Sequence, residues 1–283
     1  MSLGRWNWGR YNEFVEEHRH LPDSNRLSVL TAVILLAYAL TRLIALPPFT
    51  IRTNLLGLEM NFGINSSAVV SFLVAGLTAT GMDWLLRSHP HLDNKNTTEH
   101  WILPALTAWI LGISIYSLAD SALWWLAFLV GGVFLVLICV AEYVAVDPND
   151  SRYGVAVASL TGLSFVLLLV LITALRAVGM RLIVFLPPLF LAVWVVSMRT
   201  LHLRLGGRWE FYWSLGIAFI VVQLAAPLHY WRISPLQFGL LLLGPAYALT
   251  SLAANLTEEQ PFRRAMTEPL VALAIVWSLS WLG

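Results

Sequence analysis

The sequence predicts an all-α polytopic membrane protein, a transmembrane bundle of about nine helices with its N-terminus in the cytoplasm and its C-terminus outside. Three observations predict it: composition, the length of the apolar stretches, and the placement of basic residues. Of 283 residues, 58% are hydrophobic and 12% charged, and mean hydropathy is +0.74. Soluble domains usually carry about 25% charged residues. Half that share leaves too little polar surface to cover a globule, so most of this chain has lipid as its solvent. Nine apolar stretches lie near the roughly twenty residues that cross the hydrocarbon. Barrel strands are about ten residues long and alternate strictly, so spanning strands are excluded. In lipid each backbone polar group needs a partner within its own helix, which favours helices throughout. Threading the nine spans puts twelve Lys and Arg on one side. Four (Arg52, Arg176, Arg181 and Arg232) fall on the other, and Arg42 lies inside the first span. Basic residues stay with the cytoplasm, which sets the orientation and predicts a cell (inner) membrane location.

Residues 1–27 form a cytoplasmic segment ahead of the membrane domain. Tyr11, Phe14, Val15 and His18 share one helical face behind Trp6 and Trp8, which suggests an amphipathic helix lying in the interface. Pro22 ends it, and Asp23, Ser24 or Asn25 can cap the first span. Residues 28–283 make a single transmembrane domain with helices at about 28–47, 66–86, 101–118, 122–145, 154–175, 181–198, 211–228, 236–254 and 268–282. The first apolar run is long and ends in Pro47-Pro48, so it reads as a retained helix. Asp120-Ser121 and Gly179 mark tight outside turns, and the longest connection, 87–100, is polar and cytoplasmic. Trp84, Trp101, Trp124, Trp125, Trp209, Trp213, Trp231 and Trp281 lie near helix ends, where indoles anchor at the interface. Gly76, Gly131, Gly132 and Gly162 are small enough for close helix contacts.

A net charge of +1 gives no electrostatic case for nucleic acid, and the single cysteine, Cys139, sits in an apolar run as a core residue. Phosphate-binding Gly-Lys-Ser/Thr loops, His-Glu-x-x-His and Gly-x-Ser-x-Gly are absent. Charges inside a span cost about 2.5–3.5 kcal/mol each, so the few that occur are paired, cavity-facing or functional. Arg42 lies about 7.5 Å inside the outer end of the first helix. With Gln223 at similar depth, and Pro187-Pro188 freeing backbone carbonyls, it is a candidate to line an outward-opening site for a lipid, quinone or pigment.

The cytoplasmic face holds more chemistry. Asp83 ends the second span, Glu99 and His100 open the third, and Glu142 lies near the inner end of the fourth. Asp83, Glu142 and His100 are the acid–base candidates. His89, His91 and Asp93 in the 87–100 connection are weak metal-ligand candidates, because His-x-His on a loop lacks the i, i+4 geometry of a helical zinc site. His202 lies on the same side.

Helix number, length and orientation resemble those of intramembrane aromatic prenyltransferases. That resemblance implies aspartate-rich motifs on cytoplasmic loops for a magnesium–diphosphate substrate. Here only Asp83 and Asp93 flank the first such loop, and the second, from Arg199 to Glu210, has no aspartate, so the resemblance ends at topology. The expected function is a non-catalytic accessory or structural subunit of a membrane complex, or a hydrophobic-ligand binder. A membrane-embedded lipid- or prenyl-modifying enzyme is the alternative, and a small-molecule transporter ranks third. The expected partners are the bilayer, other subunits and a hydrophobic ligand, with no nucleic acid. No cofactor is identified.

Overall fold

The computed structural model describes residues 22–43, 49–55, 58–64, 66–89, 92, 97–118, 123–148 and 150–282. The interfacial helix expected within 1–27 lies mostly outside these residues, as does the Asp120-Ser121 turn. The fold is the predicted helical bundle. Its helices are α1 (Ser24–Leu43), α2 (Ser66–Leu86), α3 (Ile102–Ser117), α4 (Leu123–Val144) and α5 (Tyr153–Ala177). They continue as α6 (Leu182–Arg204), α7 (Phe211–His229), α8 (Pro235–Thr257) and α9 (Thr267–Leu282). A 3-10 turn, Thr98–His100, precedes α3, and a helical turn, Phe262–Ala265, precedes α9. Among the described residues, six helices (α2 and α4 to α8) are long and apolar enough to cross a membrane.

The chain also contains a β-hairpin, which the apolar pattern does not signal. Strands β1 (Phe49–Leu55) and β2 (Leu58–Ile64) pair antiparallel from Phe49↔Ile64 to Leu55↔Leu58. Seven-residue strands are too short to cross lipid but fit between spans. Thr50, Ile51, Thr53, Phe62 and Ile64 are β-prone residue types. The first helix is described over Ser24–Leu43, and the rest of its expected extent, 44–47, lies outside the described residues.

Helix ends carry local reasons. Ser234 accepts from the Gln237 backbone N–H at 3.2 Å, while Gln237 Oε1 accepts from the Ser234 N–H at 3.1 Å. With Pro235 next, this capping box starts α8. Gly179 has φ +69°, a left-handed conformation open to glycine, and makes the expected turn between α5 and α6.

Two apolar cores share α3 and α4. One joins them to α1 and α2 around Ile34, Met82, Leu85 and Leu135. The other joins them to α5–α8 around Leu171, Phe185, Val196, Val221 and Phe238. Gly131 faces Leu111 of α3 and Gly132 faces Leu35 of α1, as close helix contacts require. Gly76 and Gly162 have nothing within 4 Å of a built Cβ, so the small-residue expectation fails there. Trp124 departs from the anchoring belt: it is buried and stacks on Phe128 at 5.0 Å. Cys139 is fully buried, as expected of a core residue.

Side-chain contacts show which helix ends lie together. Arg26 on α1 donates to the Trp84 carbonyl near the end of α2 at 2.8 Å. Arg204 at the end of α6 reaches Ser251 of α8 at 3.2 Å and Glu268 of α9 at 3.4 Å. At the opposite end, Arg176 of α5 donates to the carbonyls of His229 and Trp231 at 2.8 and 3.1 Å, tying down the α7–α8 connection. The end carrying Arg26 and Arg204 is the basic end of the bundle.

Candidate functional site

The basic end contains a buried ionic cluster built from three elements. Glu99 and His100 lie on the 3-10 turn, Glu142 sits in the last turn of α4, and Arg199 and His202 share a face of α6 at i, i+3. Glu142 is 0% exposed and Arg199 1%. Arg199 Nε donates to Glu142 Oε1 at 3.2 Å, and its Nη2 donates to Oε2. His100 Nδ1 lies 2.7 Å from the same Oε2. An ionised carboxylate only accepts, so Nδ1 carries the proton of that bond. Arg199 Nη2 and His100 Nδ1, 3.2 Å apart, are then two donors aimed at one oxygen.

The chain of contacts continues outward. His100 Nε2 is 3.4 Å from Glu99 Oε1, and His202 Nε2 is 2.7 Å from Glu99 Oε2. The Glu99 side chain is 33% exposed and forms the edge of the cluster. Hydrogen bonds from His100 and then His202 hold its carboxyl well below the usual carboxylate range, against the opposing effect of burial. For His100, burial opposes the charged ring, but hydrogen bonds to Glu142 and Glu99 outweigh it and raise the pKa above 6.5. His202 stacks on Trp209 with ring centroids 4.1 Å apart, and its Nδ1 is buried without a hydrogen-bond partner.

The structure thus brings together two of the three acid–base candidates, His100 and Glu142. Asp83 is held apart. Its Oδ2 takes Arg87 Nε at 2.7 Å, the ordinary i, i+4 pair, and its Oδ1 accepts from Thr97 at 2.7 Å. Of the metal candidates, His91 and Asp93 lie outside the described residues. His89 is buried with its ring edge-on to Tyr143 at 4.7 Å. Among the described residues no group of three or more His, Cys, Asp or Glu could hold a metal ion.

The expected pairing of Arg42 with Gln223 falls partly outside the described residues. Gln223 is exposed on α7, which packs on α6 and α8, whereas α1 packs on α2 and α4. The side chain of Arg42 lies outside the described residues. Helical depth alone cannot say which helices are neighbours. Pro187-Pro188 sit within a continuous α6.

A cavity does occur at that end, elsewhere than expected. It measures about 640 Å³ between α7, α8 and α9, with Leu224, Leu228, Leu241, Pro245, Trp231, Trp277 and Trp281 in its wall. Gln237 and Ser280 are its polar side chains apart from the indole N–H groups.

Arg199, His202 and Glu99 belong to the cluster without being among the sequence-predicted site residues. The apolar run of the sixth span stops at 198, which places Arg199 and His202 in the following loop on sequence alone. The helix continues to Arg204, and Leu205 N–H still finds Leu201 O at 2.9 Å. The available signal was the i, i+3 spacing of Arg199 and His202 immediately beyond an apolar stretch, facing Glu99-His100 immediately before another.

No curated protein and no solved structure matches the chain. The family described as "Protein of unknown function (DUF5656)" matches over residues 46–282, from just after α1 to the end of α9. A multi-pass helical bundle with a charged cluster at one end and an apolar cavity at the other therefore belongs to the DUF5656 family of proteins of unknown function.

Proposed function

We propose that this integral membrane protein holds a lipophilic ligand, a lipid, quinone or pigment, in a non-catalytic role. The observation that carries the reading is the apolar cavity of about 640 Å³ between α7, α8 and α9. Small-molecule sites span about 300–1,000 Å³, mostly apolar with a few polar groups that fix orientation. Three indoles supply broad flat surfaces. Gln237 Oε1 is committed to the α8 cap, Ser280 Oγ to the Trp277 carbonyl at 2.7 Å, and Trp277 Nε1 to the Leu241 carbonyl at 3.3 Å. A lining so largely apolar, with these three polar atoms engaged, suits a hydrocarbon chain or ring system better than a polar solute.

The test is extraction of the protein purified in mild detergent, with the co-purifying lipophiles identified by mass spectrometry. One compound near one per chain is expected. Leu224→Trp adds bulk at an exposed wall position and should deplete that compound about tenfold or more while the bundle stays assembled. The same mixed lipids in equal amount from both proteins would reject the reading. A subunit that stays bound through purification would point to the accessory role instead.

The enzyme alternative has one observation in its favour: His100 and Glu142 form an imidazole–carboxylate contact of the kind used in acid–base catalysis. Against it, Glu142 spends both oxygens on Arg199 and His100, so a substrate would have to displace a buried arginine. Turnover of an added prenyl or phospholipid substrate that His100→Ala abolishes would support this alternative.

A further inference from the structure

The cluster at the basic end has more basic sites than its charge balance can fill. We propose that Glu99, His100, Glu142 and His202 form a binding site for a single exchangeable proton, shared between the two imidazoles.

Glu99 and Glu142 bring two negative charges and Arg199 one positive. A cluster withdrawn from water is penalised for net charge, because a poorly polarisable surrounding does not solvate it. One imidazolium closes the balance, and two imidazoles are present. One ring is therefore protonated and the other neutral.

Geometry ranks the two rings. His100 faces a carboxylate with each nitrogen, Nδ1 to Glu142 at 2.7 Å and Nε2 to Glu99 at 3.4 Å, so as an imidazolium it places both N–H groups on acceptors. His202 faces one carboxylate, at Nε2, and its buried Nδ1 has no partner. The proton therefore sits on His100, and the buried, unpartnered Nδ1 of His202 is the second place it can occupy. Binding forms one N–H bond and breaks none within the protein. The proton comes from water at the basic end and returns there, Glu99 being the most exposed member.

Neighbouring charges leave this count intact. Arg204 pairs with Glu268 at 3.4 Å, Arg208 with Glu210 at 3.5 Å and Asp83 with Arg87 at 2.7 Å. Cys139, one turn before Glu142 on α4, is the other titratable side chain coupled to that carboxylate. Loss of the proton from His100 would leave an Nε2 lone pair facing Glu99. The link from the 3-10 turn to α4 and α6 would weaken, so helix packing at this end follows proton occupancy.

The experiment is nitrogen NMR of ¹⁵N-histidine-labelled full-length protein in lipid nanodiscs, titrated through the neutral range. His100→Gln and His202→Gln assign the two rings. In the wild type one imidazolium and one neutral ring are expected together. In His100→Gln the proton should move to the remaining ring, His202, which then gives an imidazolium signal. Glu99→Gln should weaken proton binding by the cluster at least about tenfold, and Arg199→Gln should strengthen it by a similar factor, since a charge within about 4–6 Å is worth one to three pKa units. Rings that titrate independently of each other and of these substitutions would overturn the proposal. A His202 ring that stays neutral in His100→Gln would also overturn it, even if the two charge variants do not assemble.

Discussion

Replacing Arg199 by methionine measures what the buried cluster does for the fold. Methionine is long, unbranched and adaptable, so it fills much of the slot while removing the guanidinium. In the native chain that group takes both oxygens of Glu142, a carboxylate with no exposure to solvent. After substitution Glu142 keeps His100 alone. Removing one member of a buried ion pair costs about 3–5 kcal/mol, because the other charge is left behind. Protonating the stranded carboxylate sets a ceiling. Moving a glutamate from its ordinary pKa of about 4.3 to pH 7, at about 1.36 kcal/mol per unit, costs roughly 3.7 kcal/mol. The expected loss at neutral pH is therefore about 3–4 kcal/mol. Adding Glu142→Gln to Arg199→Met removes the stranded charge and should recover much of it.

The pH dependence of that loss adds a second check. The pKa of His100 is raised above 6.5 in the folded protein. Its imidazolium stabilises the fold fully below 6.5, and the contribution disappears as pH rises through the folded value. In Arg199→Met this ring is the remaining cation on Glu142, so the deficit should grow as pH rises through that window. Reversible unfolding in mixed micelles, followed by circular dichroism on both sides of the window, reads both effects. An Arg199→Met protein as stable as the wild type, or a double variant less stable than the single one, would show that Glu142 is not stranded by loss of the guanidinium.

Four further outcomes are expected. Thermal stability of the wild type should fall as pH rises through the raised His100 value, and His100→Gln should flatten that slope; on the acid side the contribution of Glu99 is present above 4.5 and is lost as pH drops through its lowered value. Gly112→Ala should destabilise by about 1–3 kcal/mol, because a built Cβ meets Ser71 Oγ and lies 2.6 Å from Ser71 Cβ, whereas Gly162→Ala, with open space around it, should be neutral or stabilising; paired unfolding curves decide this. Tyr38→Phe removes the buried hydrogen bond to the Ala108 carbonyl and should cost about 0.5–1.5 kcal/mol in the same assay. Arg176→Met unties the His229 and Trp231 carbonyls, and faster amide exchange at the α7–α8 connection should report it without loss of the bundle.

Much of the fold was legible in the chain because lipid imposes it. A segment crossing hydrocarbon must be apolar over about twenty residues and satisfy its own backbone, so length and hydropathy place it. Ranges such as 66–86 for α2 and 122–145 for α4 agree with Ser66–Leu86 and Leu123–Val144 to within a residue. The rule reads apolarity, and it failed where a helix continues past its apolar run. Arg199 and His202 looked like loop residues because the carboxylates that make them tolerable in α6 belong to other elements. The hairpin escaped for a related reason: outside the spans the bilayer no longer dictates the choice between strand, turn and helix.

The sequence by itself determined a multi-pass helical bundle, the approximate extent of its helices and the gathering of basic residues toward one end, since these follow from the transfer of each segment between water and lipid. Which helices are neighbours was decided by tertiary packing. Side-chain fit between helix faces sets Glu142 beside Arg199 and His100, leaves Gln223 exposed on α7 away from α1, and opens a cavity among α7, α8 and α9. Hydropathy is nearly blind to that fit, because an apolar face transfers into lipid about as well as it packs against another helix.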